Sequence, residues 1–358
     1  MNRDLNPVLE SRATSRQLGR AALQSLSVYD PGVKPCRVDL SDNTNLWGAP
    51  PYARTVLENS ELSTLSRYPA PYTRVLNSAL AGYLGVDPEM VVSGCGSDDI
   101  LDSAIRALAE PGGRLAHFDP TFGMISVFAT LNGVTAIGVS RNDPAPAAAL
   151  VDSGARLIYL CSPNNPTGEV LDPALIETVV ATASGVVIVD EAYAEFAGVS
   201  SVGLLARYDN LLITRTLSKA FGLAGLRIGY AVGKQRIVAE VEKSRGPYKV
   251  SSIGERTAVA ALERDRDWVN DKVSLVLANR ELFRLRLGNL GLTPLASHAN
   301  FLLVPVADAR RSREVLAANG IAVRAFENLA GIGDALRITI GPWPMMEECL
   351  AALEKAIQ

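Results

Sequence analysis

Thr214-Arg215-Thr216-Leu217-Ser218-Lys219-Ala220-Phe221-Gly222-Leu223-Ala224-Gly225-Leu226-Arg227 follows an apolar strand, Leu211-Leu212-Ile213, and sets one lysine between hydroxyls and an arginine. A lysine amine condenses with an aldehyde as a Schiff base when a cationic neighbour or partial desolvation keeps some of it unprotonated. Hydroxyls, backbone amides and an arginine suit a dianionic phosphate. Aldehyde and phosphate within a few ångströms of each other describe pyridoxal 5'-phosphate. On this segment alone, an exposed lysine in a polar loop is the competing reading.

Working outward, short apolar runs alternate with helical patterns from about residue 90 to 235. Strands are expected at Val91-Val92-Ser93, Arg114 to Phe118, Thr135 to Val139, Leu157 to Cys161, Val186 to Asp190, Leu211 to Thr214 and Ile228 to Val232, with a helix over Asp99 to Ala109. Continuous apolar strands separated by helices indicate an α/β fold with a mostly parallel sheet covered on both faces. Ligands bind at the carboxyl ends of such strands. Asp143 to Leu150 reads as a connection. A long helical stretch from Arg256 to Leu290 leads to a second α/β pattern: strand Ala299 to Val304, helix Ala309 to Ala318, strands Ile321 to Arg324 and Ala335 to Ile340, and helix Met345 to Ile357. The expected organisation is an N-terminal arm (1–45), a large cofactor domain (46–265) and a small C-terminal domain (266–358).

With 358 residues, the chain suits two domains. A net charge of -3 and a pI near 5.6 give no electrostatic case for nucleic acid or an anionic membrane. No apolar run approaches the roughly 20 residues of a membrane span, and Met1 to Arg20 lacks a signal-peptide core, so a cytoplasmic location is expected. Cys36, Cys95, Cys161 and Cys349 stand far apart, which indicates neither a disulfide framework nor a zinc site. With only His117 and His298, His-ligated metals and a Ser-His-Asp scheme are disfavoured, and no metal is expected.

Three further segments fall at strand ends. Val186-Val187-Ile188-Val189-Asp190-Glu191-Ala192-Tyr193 puts a carboxylate after a buried strand, where it could keep a pyridine nitrogen protonated; a turn aspartate is the simpler alternative. Cys161-Ser162-Pro163-Asn164-Asn165-Pro166-Thr167-Gly168 forms a rigid loop whose paired asparagines suggest amides aimed at a target. Gly94-Cys95-Gly96-Ser97-Asp98-Asp99 links strand to helix, so its amides and Ser97 could hold a phosphate, although it is neither a dinucleotide fingerprint nor a Walker A sequence.

With these motifs the chain resembles fold-type I pyridoxal-phosphate enzymes, specifically aminotransferases of class I/II and, within them, histidinol-phosphate aminotransferases. The resemblance runs from Tyr29-Asp30-Pro31-Gly32 to Gly341 and includes Arg67-Tyr68-Pro69, Pro120-Thr121-Phe122, Pro163 to Gly168, Asp190 to Tyr193, Thr216 to Gly222 and Leu336-Arg337-Ile338-Thr339. It implies that Lys219 carries the cofactor and shuttles the proton, that Asp190 pairs with the pyridinium, and that Asn165 and Tyr193 bond its phenolic oxygen. It implies a stacking role for Phe122 and a phosphate cup of Gly96, Ser97, Asp98, Thr216, Ser218 and Arg227. Arg337 matches the arginine for the substrate carboxylate, and Arg324 the one for a distal phosphate. Tyr29 and Asn300 are further substrate-pocket candidates, and Tyr68 would reach a neighbouring subunit's cofactor, which implies a homodimer with shared sites.

The chain departs from the family at the substrate rim. Asn43-Thr44-Asn45-Leu46 lacks the usual glutamate and is followed by Trp47; Pro247-Tyr248-Lys249-Val250 has lysine for asparagine; Cys95 and Phe122 replace commoner polar residues. The expected reaction is amino transfer between glutamate and a 2-oxo acid or oxo-phosphate. An aromatic or specialised-pathway aminotransferase, a threonine-phosphate-type decarboxylase and a non-catalytic cofactor-binding regulator are the alternatives.

Overall fold

A computed structural model of the protein describes residues 19–30 and 36–357. The readings placed on residues 1–18 and on Pro31-Gly32 lie outside the described residues. The central sheet has seven strands in the order Val91–Cys95, Ile228–Gly233, Leu211–Thr216, Val186–Asp190, Leu157–Cys161, Arg114–Asp119 and Thr135–Ser140. All run parallel except Ile228–Gly233, which is antiparallel to both its neighbours. The reversal follows from the connection: residues 217–227 hold one short turn, Ala224–Leu226, and no crossover helix of the kind a parallel return needs.

Side-chain alternation divides each strand between two cores. Ile158, Leu160, Val187, Val189, Leu211 and Ile213 face one core, whereas Leu157, Tyr159, Cys161, Ile188 and Leu212 face the other. Burial on both faces is why these strands read as unbroken apolar runs.

Several boundaries differ from expectation. The helix after Val91–Cys95 starts at Gly96, so Ser97 and Asp98 belong to its first turn. Residues 143–150, expected as a connection, include most of a short helix, Pro146–Val151, with proline at its start. The helical stretch over residues 256–290 is two helices, Ser252–Arg264 and Arg266–Asn289, separated at Asp265. The buried Asp265 carboxylate accepts the amides of Tyr52 (3.0 Å) and Ala53 (2.9 Å), supplying to helix Pro51–Glu58 the cap that Pro50 cannot give.

Beyond the large sheet, Arg324–Leu329, Gly333–Thr339 and Phe301–Pro305 form an antiparallel sheet, and Val38–Asp39 pairs with Ile321–Ala322 in parallel. The strand expected over residues 321–324 is therefore divided between two sheets. Among the described residues, no helix is long and apolar enough to cross a membrane.

Candidate active site

The polar motifs converge where the parallel strands end. Gly229 lies opposite Thr216 and Gly94 in the ladders, and a Cβ there would sit 2.1 Å from the Gly96 carbonyl carbon and from the Ser97 nitrogen. Only glycine lets the start of helix Gly96–Leu108 lie on the strand, amides and positive dipole end toward the Lys219 loop. Gly96 has φ +82°, and a Cβ on it would meet the Arg227 guanidinium at 2.5 Å. Arg227 reaches Asp98 at 3.5 Å. Burial raises the Asp98 pKa against the pull of Arg227 and Lys219. The Ser218 hydroxyl is buried with no partner among the described residues. Thr216, by contrast, spends its hydroxyl on the turn, donating to the Ile228 carbonyl at 3.2 Å and accepting the Ser218 amide at 3.1 Å.

Lys219 is half-buried and its Nζ donates to the Asp42 carbonyl at 2.8 Å. Burial, reinforced by Arg337, pushes its amine down to about 8. Asp190, at the end of strand Val186–Asp190, is buried and pushed up to about 6 by desolvation. Tyr193 accepts the Asn43 side-chain amide at 3.0 Å, and burial pushes its phenol up to about 12. Arg337 donates to Asn165 Oδ1 (2.7 Å) and the Ser41 carbonyl (2.6 Å), has its guanidinium 5.5 Å and 5.9 Å from the ring centres of Phe301 and Phe326, and keeps a buried Nε without a partner among the described residues.

The paired asparagines divide their tasks. Asn164 is buried and bonds Pro120, Thr121 and Thr167, which fixes the loop carrying Phe122. Asn165 instead meets Arg337. Phe122 is half-buried against the core that includes Tyr159. Asn300 donates to the Asn43 carbonyl at 3.0 Å and leaves a buried carbonyl oxygen without a partner among the described residues. Arg324 stands directly opposite Arg337 in the small sheet, with its guanidinium 5.9 Å from the centre of the Tyr29 ring. Tyr68 is 85% exposed and stacks on Tyr248, and Leu65 and Tyr72, close to it in sequence, are exposed as well.

The altered rim residues have local explanations. Trp47 packs against the core, and Lys249 pairs with Asp99 at 2.8 Å, so both are tied into the scaffold. Sequence reasoning also missed three features. Arg215 points away from Thr214 and Thr216 and donates Nε and Nη2 to the buried Glu191 at 3.0 and 2.8 Å. Tyr159 donates to Asp190 at 2.7 Å. Asn43, at φ +58°, links Tyr193, Thr339 and Asn300. Strand alternation signals the first two: Arg215 is out of phase with the hydroxyls, and Tyr159 is in phase with Asp190 across a parallel pair.

The donors fit pyridoxal phosphate. The unpartnered Ser218 hydroxyl, the glycine-lined helix start and Arg227 suit its phosphate, and the depressed Lys219 amine suits its aldehyde. Fold and site together define a pyridoxal-phosphate-dependent enzyme of fold type I. Residues 37–354 match aminotransferase class I and II, and the chain belongs to that family. It is a pyridoxal-phosphate-dependent aminotransferase. It is 38% identical over 319 residues to the histidinol-phosphate aminotransferase of Roseiflexus castenholzii, with 85% of each chain covered. It is 35% identical over 297 residues to that of Caldanaerobacter subterraneus subsp. tengcongensis, covering 81% of this chain and 84% of the other. Among solved structures it is similar to the histidinol-phosphate aminotransferase from Sinorhizobium meliloti in complex with pyridoxal-5'-phosphate, with a TM-score of 0.86, 26% identity and coverage of 96% of this chain and 99% of that one.

Proposed function

We propose that this aminotransferase works on an amino alcohol phosphate, exchanging the amino group of histidinol phosphate, which carries a distal phosphate and no carboxylate, with glutamate through their oxo partners. The register pair Arg324 and Arg337 carries the reading. Two guanidiniums directly across a sheet repel, and they suit substrates with anionic groups at one or both ends. Arg337 would grip the carboxylate of glutamate and Arg324 the distal phosphate, with Tyr29 and Asn300 beside them. The shared name of the relatives supports the same substrate class.

When bound, the cofactor supplies an electron sink and a reactive carbonyl carbon. Ser97, Ser218, Arg227 and the Gly96–Asp98 amides would hold its phosphate, and Phe122 would cover its ring. Asp190 would hold a proton on the ring nitrogen, while Asn165 and Tyr193 donate to the phenolic oxygen. Lys219, delivered as a partly neutral amine, would take the proton from the substrate Cα and return it at the cofactor's carbonyl carbon, on the other side of the shared nitrogen. Besides gripping the carboxylate, Arg337 would orient Asn165 and lower the affinity of Lys219 for its proton.

The exposed Leu65, Tyr68, Tyr72 and Tyr248 surface supports a homodimer in which Tyr68 reaches the partner's cofactor phosphate. Residues 46–265 would form the cofactor domain and 266–358, with part of 1–45, the small domain; the enzyme would act in the cytoplasm. An amino-donor screen, read at the cofactor absorbance with and without histidinol phosphate, tests the substrate. Histidinol phosphate should convert the cofactor at least tenfold faster than histidinol, and Arg324→Gln should remove about 10- to 100-fold of that preference. Equal rates for histidinol and histidinol phosphate in the unaltered enzyme would reject the reading.

A further inference from the structure

Asp190 is 4% exposed, and its two oxygens are held differently. Oδ2 accepts the Tyr159 hydroxyl at 2.7 Å, whereas Oδ1 accepts the Ala192 amide at a longer 3.2 Å. Tyr159 is itself fully buried on the adjacent parallel strand. There it lies opposite Ile188, with Cys161 opposite Asp190, so Tyr159 is a diagonal neighbour of Asp190 on the same face. An aromatic side chain spans such a diagonal.

We propose that Tyr159 is a positioning residue that anchors Asp190 Oδ2, so that the Oδ1 edge is presented to the ring nitrogen of the cofactor. This rests on the reading of Asp190 as the partner of that nitrogen. The phenol remains a donor throughout the working range, because burial holds its pKa well above the ordinary value. The other groups facing Asp190 are Cys161, Thr214, Asp98 and Tyr193. Cys161 is kept a neutral thiol by burial, the buried Thr214 hydroxyl favours the ionised carboxylate less than Tyr159 does and lies beyond a normal hydrogen bond, and Asp98 opposes ionisation of Asp190. Tyr159 is therefore the main counterweight to the desolvation of Asp190. Without its hydroxyl, Asp190 should take up its proton at higher pH, and the loss should fade as pH rises.

The test uses apo protein titrated by calorimetry with 4'-deoxypyridoxine phosphate, which lacks the aldehyde and so bypasses Lys219, and with its carbocyclic analogue, in which the ring nitrogen is a C–H. With a shift of about one pH unit from a starting value of about 6, Tyr159→Phe should weaken the nitrogen-containing ligand about fivefold at pH 6 and only about 1.3-fold at pH 7.5, leaving the carbocyclic ligand unchanged. Equal losses for both ligands, or a loss independent of pH, would mean a merely structural tyrosine and overturn the proposal. Asp190→Asn separates the two readings. If it abolishes the preference for ring nitrogen while Tyr159→Phe leaves it intact, only the Tyr159 proposal falls. If Asp190→Asn retains the preference, the role of Asp190 falls and the proposal with it. Should Tyr159→Phe not fold, the unaltered protein decides: the nitrogen preference should rise with a midpoint near pH 6, and a midpoint well above 7 would overturn the proposal.

Discussion

Lys219 offers a prediction whose size follows from its surroundings. Its amine is pushed down to about 8 by desolvation and by Arg337, with a smaller contribution from Arg227, while Asp42 and Asp98 pull the other way. At pH 8 about half of the Lys219 amines are then free, compared with about 0.4% for an ordinary lysine near 10.4, a ratio of roughly a hundredfold. Competitive acetylation of apo protein across pH 6 to 10, read by peptide mass spectrometry against a model lysine peptide, measures this directly. Lys219 labelling should rise tenfold per unit at first and level off above about pH 9, while the standard continues to climb. Arg337→Gln should move the midpoint upward, because a cation that disfavours protonation has gone. Linkage fixes a second sign. A lysine with a lowered folded pKa costs stability below about 8, and the cost is relieved as pH rises from there toward the unfolded value. Labelling that still climbs tenfold per unit to pH 10, or a midpoint unmoved by Arg337→Gln, would refute the reasoning.

Other substitutions test the scaffold. Arg215→Met leaves Glu191 and Glu195, both nearly buried, without their cation and should cost about 3–5 kcal/mol, measured by urea unfolding of apo protein. Gly229→Ala drives a methyl into the Gly96–Ser97 peptide, so it should lower stability by about 1–3 kcal/mol and weaken pyridoxal phosphate binding, measured by fluorescence titration. Asp265→Ala removes the carboxylate that caps the helix at Tyr52 and Ala53; a loss of about 1–2 kcal/mol is expected, with cofactor affinity unchanged.

Much of this architecture was legible because both sheet faces are buried. The Leu157–Cys161 and Val186–Asp190 strands could be read to the residue, since each unbroken apolar run gives way to a polar residue, Ser162 just past the first and Asp190 at the end of the second. The reversed Ile228–Gly233 strand was not legible in its direction, which depends on the short route through Lys219 rather than on composition. Within the hydroxyl cluster, composition does not distinguish the group that closes the turn, Thr216, from Ser218, whose hydroxyl stays unspent. Lys249 and Trp47 looked like substrate residues because they depart from the family pattern, but such departures carry no direction. Lys249 turns to Asp99, and Trp47 to the core. Asn43 was hidden for another reason: its partners Tyr193, Thr339 and Asn300 are far away in sequence, and only the meeting of the small sheet with the segment after strand Val186–Asp190 assembles them.

The most direct test is a single turnover of the pyridoxal-phosphate-loaded enzyme with carboxyl-labelled glutamate. Amino transfer predicts one equivalent of 2-oxoglutarate per active site, matching loss of the absorbance of the Lys219-linked cofactor, with the label retained in the oxo acid. Labelled carbon dioxide, or an unchanged cofactor in an enzyme saturated with glutamate, would contradict it.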